Sequence, residues 1–215
     1  VVVGVIPMIR GRLEDRREVD RGHAQVGEIV EVLDHANQVT PLIAVASRGR
    51  APGVEVTGLG DAQASGEAIG KDLIENGVAA IITTCGFLVR HQKELAAALS
   101  VPVETSTLMH YIELQRQVGA GKRVAILTIS AEAIDASVRA AAGIEREALV
   151  FSLPAAAHFV TAIMDATAPL DLQRAEAEWV DLAVKAQRQH PEIGMWQFEC
   201  ANMPPYADAV RRATG

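Results

Sequence analysis

The run RVAILT, Arg123–Thr128, is apolar and β-branched between an arginine at one end and a hydroxyl at the other. A half-wet strand alternates apolar and polar residues, and this one does not, so both of its faces are expected to be buried. VVVGVI at 1–6 and AAIITT at 79–84 read the same way. Longer Ala-rich stretches of helical period separate such runs, which is the pattern of βαβ units around a parallel sheet. Strands are expected at 1–6, 42–46, 54–57, 79–83, 102–104, 123–128, 148–151 and 193–198. Helices are expected at 62–76, 87–99, 108–118, 131–142, 155–166, 170–189 and 205–213. Asn76-Gly77 and Gly143 are stop signals, and Pro191 follows the longest helical stretch.

The chain of 215 residues is long enough for one to two domains of about 150 residues each. Hydrophobic residues are 49% and charged residues 22%, a globular rather than a disordered composition. A net charge of −7 with only 4% aromatics argues against phosphate neutralisation and base stacking, so no nucleic-acid partner is expected. No apolar stretch approaches the roughly 18 residues that a membrane helix needs, and 1–6 lacks the basic flank of a signal segment. Two cysteines are too few for a disulfide framework, so a cytoplasmic protein is expected. The mixed-charge segment RGRLEDRREVDR at 10–21 reads as a solvated loop or lid, unless one of its arginines turns into a cleft to meet an anion.

Several motifs fail on inspection. GEAIGKD at 66–72 is one residue short of a phosphate loop and ends in an aspartate where a hydroxyl belongs. GAGKR at 119–123 precedes a strand instead of following one. The six histidines show no metal-ligand spacing, so no metal is expected. None of the lysines, Lys71, Lys93, Lys122 and Lys185, has a desolvated context for a Schiff base, and no GxSxG elbow occurs.

Cys85 and Cys200 remain. A free cysteine usually packs as a small hydrophobe. Each of these, however, follows the C-terminal end of an apolar strand, one in each half of the chain, and precedes a helix-capable segment. Open parallel sheets bind ligands at such strand ends, so two lobes related by a pseudo-twofold would bring both thiols to one cleft. Cys85, in TTCGF at 83–87, stands at a helix start whose N–H groups are expected to lower its pKa. Cys200 precedes Asn202, which can cap, and prolines suited to a first helical turn.

The pieces TTCGFL at 83–88, VPVETSTL at 101–108, GKRVAILT at 121–128 and FECANMPPYADAV at 198–210, in that order, resemble the aspartate/glutamate/hydantoin racemase superfamily. The likeness is to its aspartate/glutamate racemase-like group and runs from Ala62 to the end of the chain. It implies an α/β fold of two pseudo-symmetric parallel-sheet lobes with an active-site cleft between them. Residues 1–104 with 202–215 would form the lobe carrying Cys85, and 105–201 the lobe carrying Cys200. It also implies catalysis without a cofactor, with Cys85 and Cys200 as the acid–base pair. Inverting a stereocentre needs a base on one face of the α-carbon and an acid on the other, and a thiolate and a thiol supply both. The carbanion needs preorganised donors near the substrate carboxylate. The candidates are the backbone N–H groups of Gly86, Phe87 and Ala201, with Thr84, Asn202 and Thr128; Ser47 and Ser106 are weaker ones. Arg48 and Arg10 could meet an acidic substrate side chain.

The chain also departs from that group. Ala201 stands where a threonine is usual, and Cys200-Ala201 with Met203 is closer to hydantoin racemases. The 10–21 segment is unlike the family's start, and relatives continue into another strand and helix beyond Gly215, which the first lobe would then lack. The expectation is a racemase or epimerase acting on a small amino acid or related carboxylate, in a homodimer. A cis–trans isomerase or decarboxylase of a small dicarboxylate, and a non-catalytic small-anion-binding protein, stay open as alternatives.

Overall fold

A computed structural model describes residues 29–31, 42–45, 62–75, 78, 80–83, 85–164 and 169–215, with side chains from residue 66 onward. The expected strands at 1–6 and 54–57 and the charged segment 10–21 lie outside these residues. The described strands are β1 (Ile29–Glu31), β2 (Leu42–Val45), β3 (Ala80–Thr83), β4 (Val103–Glu104), β5 (Arg123–Thr128), β6 (Leu149–Ser152) and β7 (Ile193–Phe198). The helices are α1 (Ala62–Glu75), α2 (Gln92–Ala98), α3 (Tyr111–Gln117), α4 (Ala136–Ala142), α5 (His158–Met164), α6 (Leu172–Gln189) and α7 (Ala207–Thr214). Turns of 3-10 helix at Gly86–His91, Thr107–His110 and Pro204–Tyr206 lead into α2, α3 and α7.

The strands form two sheets, ordered β1-β2-β3-β4 and β6-β5-β7. β5 is the centre of the second sheet and runs parallel to both neighbours. Its two faces are both dry, as the run RVAILT requires. Val124 and Ile126 pack towards α3 and α4, while Ala125 and Leu127 pack towards α5 and α6, and all four are fully buried. The α6 side of this sheet is filled by Trp179, Phe159, Trp196 and Phe198, joined by Met203, Tyr206 and Val210 from the closing segment of the chain.

The first sheet departs from the expectation of parallel strands throughout. β3 and β4 are parallel, but β2 is antiparallel to both β1 and β3. An apolar run reads alike in both directions, so composition finds the strand and not its polarity. For β1 and β2, residues 32–41 are too few for the crossover of about a dozen or more residues that parallel neighbours need.

Helix starts differ for a similar local reason. The helix expected from residue 131 begins at Ala136, because the Asp135 carboxylate accepts from the N–H groups of Ser137 at 2.9 Å and Val138 at 3.0 Å and so fixes the first turn. Its end is where Gly143 was expected to place it, in the left-handed region at φ 68°. Asp171 caps α6 in the same way. GEAIGKD lies within α1, where glycine lets two helices approach closely: a β-carbon at Gly70 would stand 2.4 Å from Leu99 Cδ1. Among the described residues no helix is long and apolar enough to cross a membrane.

Candidate active site

Both cysteines are free thiols, and both are half-buried. Cys85 leaves β3 in an extended conformation and caps the 3-10 turn that follows, its carbonyl accepting from Leu88 N–H at 3.1 Å. The N–H groups of Phe87 and Leu88 point at its sulfur. Cys200 follows β7 and opens a tight turn in which its carbonyl accepts from Met203 N–H at 3.0 Å. The Asn202 side chain donates to its sulfur at 3.6 Å, and the Asn202 backbone N–H does likewise.

Between these two turns stands a residue that the sequence reading left out. Glu199 is 3% exposed. Its Oε2 accepts from the Thr128 hydroxyl at 2.9 Å, and the backbone N–H groups of Gly86 and Ile129 also donate to its carboxyl. Its own N–H continues the ladder to Leu127 O at 2.9 Å. Thr107, another residue not anticipated, donates its hydroxyl to Phe198 O at 2.8 Å, and Gln197 Nε2 donates back to Thr107 O at 2.6 Å. These bonds pin the end of β7 to the turn before α3. The missed signal was an acidic residue directly after a strand buried on both faces, where a carboxylate must find donors.

The expected site residues fall into four groups. Cys85, Gly86, Thr128, Cys200 and Asn202 come together around Glu199. Phe87 and Ala201 sit beside the thiols, but the Phe87 ring packs on the core under α4 and Ala201 is buried. Ser106 caps its own 3-10 turn, accepting from Leu108 N–H at 3.0 Å. Thr84, Ser47, Arg48 and Arg10 lie outside the described residues. No three His, Cys, Asp or Glu side chains cluster as metal ligands among the described residues.

The electrostatics reverse one expectation. A helix start was to lower the thiol pKa of Cys85, yet burial pushes it up and the Glu199 carboxylate adds to this. The Phe87 and Leu88 N–H groups and Arg90 oppose that rise without overcoming it. The physical reason is that only two N–H groups of the 3-10 segment after Cys85, those of Phe87 and Leu88, reach its sulfur, and they do not offset desolvation. Cys200 is pushed up to about 12, first by burial and then by Glu199, with Cys85 adding a smaller like-charge effect. Glu199 itself is raised by burial to about 7, although its three donors pull the other way.

That last shift has a consequence for stability. The folded protein keeps a proton on Glu199 up to about pH 7, while the unfolded chain releases it near 4.5. The folded state therefore holds more protons in that window, and stability should fall as pH rises through it, by up to about 3 kcal/mol. Urea midpoints at pH 5 and pH 7.5 will show the decline, and Glu199→Gln should flatten it.

No family model matches the chain. It is similar to a dimethylsulfoniopropionate lyase of Durusdinium sp. clade D, with 29% identity over 145 residues, covering 66% of this chain. The chain spans about half the length of that curated relative, 48%.

Proposed function

We propose that this protein is an enzyme that removes a proton from the carbon α to a carboxylate, with Cys85 and Cys200 as its acid–base pair at a cleft between two α/β lobes. The observation that carries this reading is the meeting of two half-buried thiols, from the ends of β3 and β7, around one buried carboxyl. A carbon acid is weak, so its base must be strong. A desolvated thiolate of raised pKa is a stronger base than an ordinary one, and the N–H groups of Phe87 and Leu88 steady its charge. The Phe87 and Leu88 N–H groups and Arg90 favour a thiolate at Cys85, so we assign Cys85 as the base and Cys200 as the group that holds the proton to be delivered. Returning a proton to the opposite face makes the reaction a racemisation or epimerisation of a small amino acid or related carboxylate. The Asn202 side-chain amide is the donor we assign to the substrate carboxylate.

A second reading follows from the lyase relative. It shares the first step and differs in the fate of the electron pair. In a carboxylate with a β-sulfonium group, the α C–H pair becomes the C=C bond and the Cβ–S bond breaks. The sulfur leaves as a neutral sulfide with its bonding pair, and the proton stays on the thiol. This route needs a base but no acid on the opposite face.

One experiment tests both readings. Wild type, Cys85→Ala and Cys200→Ala are incubated in deuterated water with D- and L-amino acids, small dicarboxylates and dimethylsulfoniopropionate. Racemisation places deuterium on the α-carbon of the inverted product, and each variant should lose at least about 100-fold, the scale of one acid–base group. Elimination yields acrylate and dimethyl sulfide, with loss concentrated in the variant that lacks the base. If no compound exchanges or turns over with wild type, the acid–base reading falls.

A further inference from the structure

Glu199 belongs to neither thiol, yet its contacts reach both turns that carry them. It precedes Cys200 directly, and its carboxyl accepts from the N–H of Gly86, the residue after Cys85. The fit at Gly86 is tight: a β-carbon there would stand 2.3 Å from Glu199 Oε1, so only glycine admits the carboxyl. On the other side Thr128 holds Oε2 at 2.9 Å and Ile129 N–H closes the cradle. We propose that Glu199 is the positioning residue of this site, tying the Cys85 turn to the Cys200 turn and setting by its own charge how readily either thiol ionises. The proposal rests on the two-thiol reading above and deepens it.

The chemistry is that of three acidic groups in one dry space. Each negative charge disfavours the next, so an ionised Glu199 makes a second charge on either sulfur harder to form. Among the described residues, the titratable and charged groups that bear on this cluster are Cys85 and Cys200, with Arg90 acting on Cys85 from the 3-10 turn. Arg90 is shared with Asp135 at 3.7 Å, so its pull on the sulfur is divided. An ionised Glu199 thereby holds both thiols protonated, and when Glu199 is protonated the first thiolate to form suppresses the second. One thiol can be a base while the other remains an acid, which a two-faced proton transfer requires.

The test reads the sulfurs directly and does not depend on the substrate. The rate of iodoacetamide alkylation at each cysteine is followed by mass spectrometry from pH 6 to pH 11, and the rates are compared at fixed pH because the Cys200 midpoint of about 12 lies above that range. The set is wild type, Glu199→Gln, Glu199→Asp and Thr128→Val. Removing the charge in Glu199→Gln should make alkylation of both thiols at least 10-fold faster at pH 8. Glu199→Asp keeps the charge and should return the rates towards wild type. Thr128→Val is close in shape and removes one donor, which favours the neutral carboxyl, so it should quicken alkylation near pH 7, where Glu199 titrates, though by less than Glu199→Gln. Alkylation rates in folded Glu199→Gln at pH 8 and in folded Thr128→Val at pH 7 that match wild type overturn the proposal. If Glu199→Gln does not fold, Thr128→Val alone decides it by the same criterion. Absence of α-proton exchange on any carboxylate would instead overturn the acid–base reading while these alkylation rates still report on Glu199.

Discussion

Gly86→Ala is expected to lower stability by about 2–4 kcal/mol and to remove most of the α-proton exchange. The added β-carbon would lie 2.3 Å from Glu199 Oε1, 2.5 Å from its Cγ and 2.8 Å from its Cδ. The end of a glutamate is usually free to swing away, but this one is buried and held by three donors. If it moves, the Thr128 hydroxyl and the N–H groups of Gly86 and Ile129 lose their partner. If it stays, the turn carrying Cys85 must shift. Overpacking costs about 1–3 kcal/mol and an unpaired buried polar group about 1–3 kcal/mol, which sets the expected range. Gly86 does not hold a left-handed conformation, so the penalty comes from the contact and not from the backbone. A melt should fall by about 5–15 °C for a chain of this size. An unchanged melt would show that the Glu199 side chain has room that the close contact denies.

Trp179→Ala carries the other large effect, a loss of about 3–5 kcal/mol. Trp179 is fully buried under the second sheet and meets Phe159 edge-on at 5.2 Å, which in turn meets Tyr206 at 5.7 Å. The same layer contains Phe198 and Met203, the neighbours that flank the Cys200 turn, and Cys200 itself packs against it. The cavity should therefore loosen that turn and raise the alkylation rate of Cys200 while leaving Cys85 near its wild-type rate. Trp179→Phe separates packing from polarity. The indole N–H is buried without a partner, so phenylalanine removes an unpaired donor while keeping most of the ring. Its cost should stay within about 1–2 kcal/mol in urea unfolding.

The second half of the fold is closely legible in the residues. Arg123–Thr128 and Ile193–Phe198 are the strands that their mainly apolar runs announce, and the one polar side chain inside the second, Gln197, is buried with its amide donating to Thr107 O. Gly143 ends α4 as expected, because its left-handed backbone suits glycine. The first sheet is less legible, since the mixed order of β1 to β4 depends on how strands pair and an apolar run has no direction of its own. Helix starts were misplaced by several residues at α4, where the cap at Asp135 outweighed the helical period before it.

The site divides along the same line. The sequence by itself placed Cys85 and Cys200 at strand ends, because punctuation by glycine, asparagine and proline is local and survives without tertiary context. It showed Glu199 only as an acidic residue after a buried strand, and its partners Gly86, Thr128 and Ile129, from distant parts of the chain, are set by packing. Nor could it fix the sign of the thiol shifts. A helix start lowers a pKa and burial raises it, and the balance depends on how much water the folded neighbours remove. Only the packed structure, which surrounds Cys200 with core and sets a carboxyl beside both sulfurs, decided that burial wins.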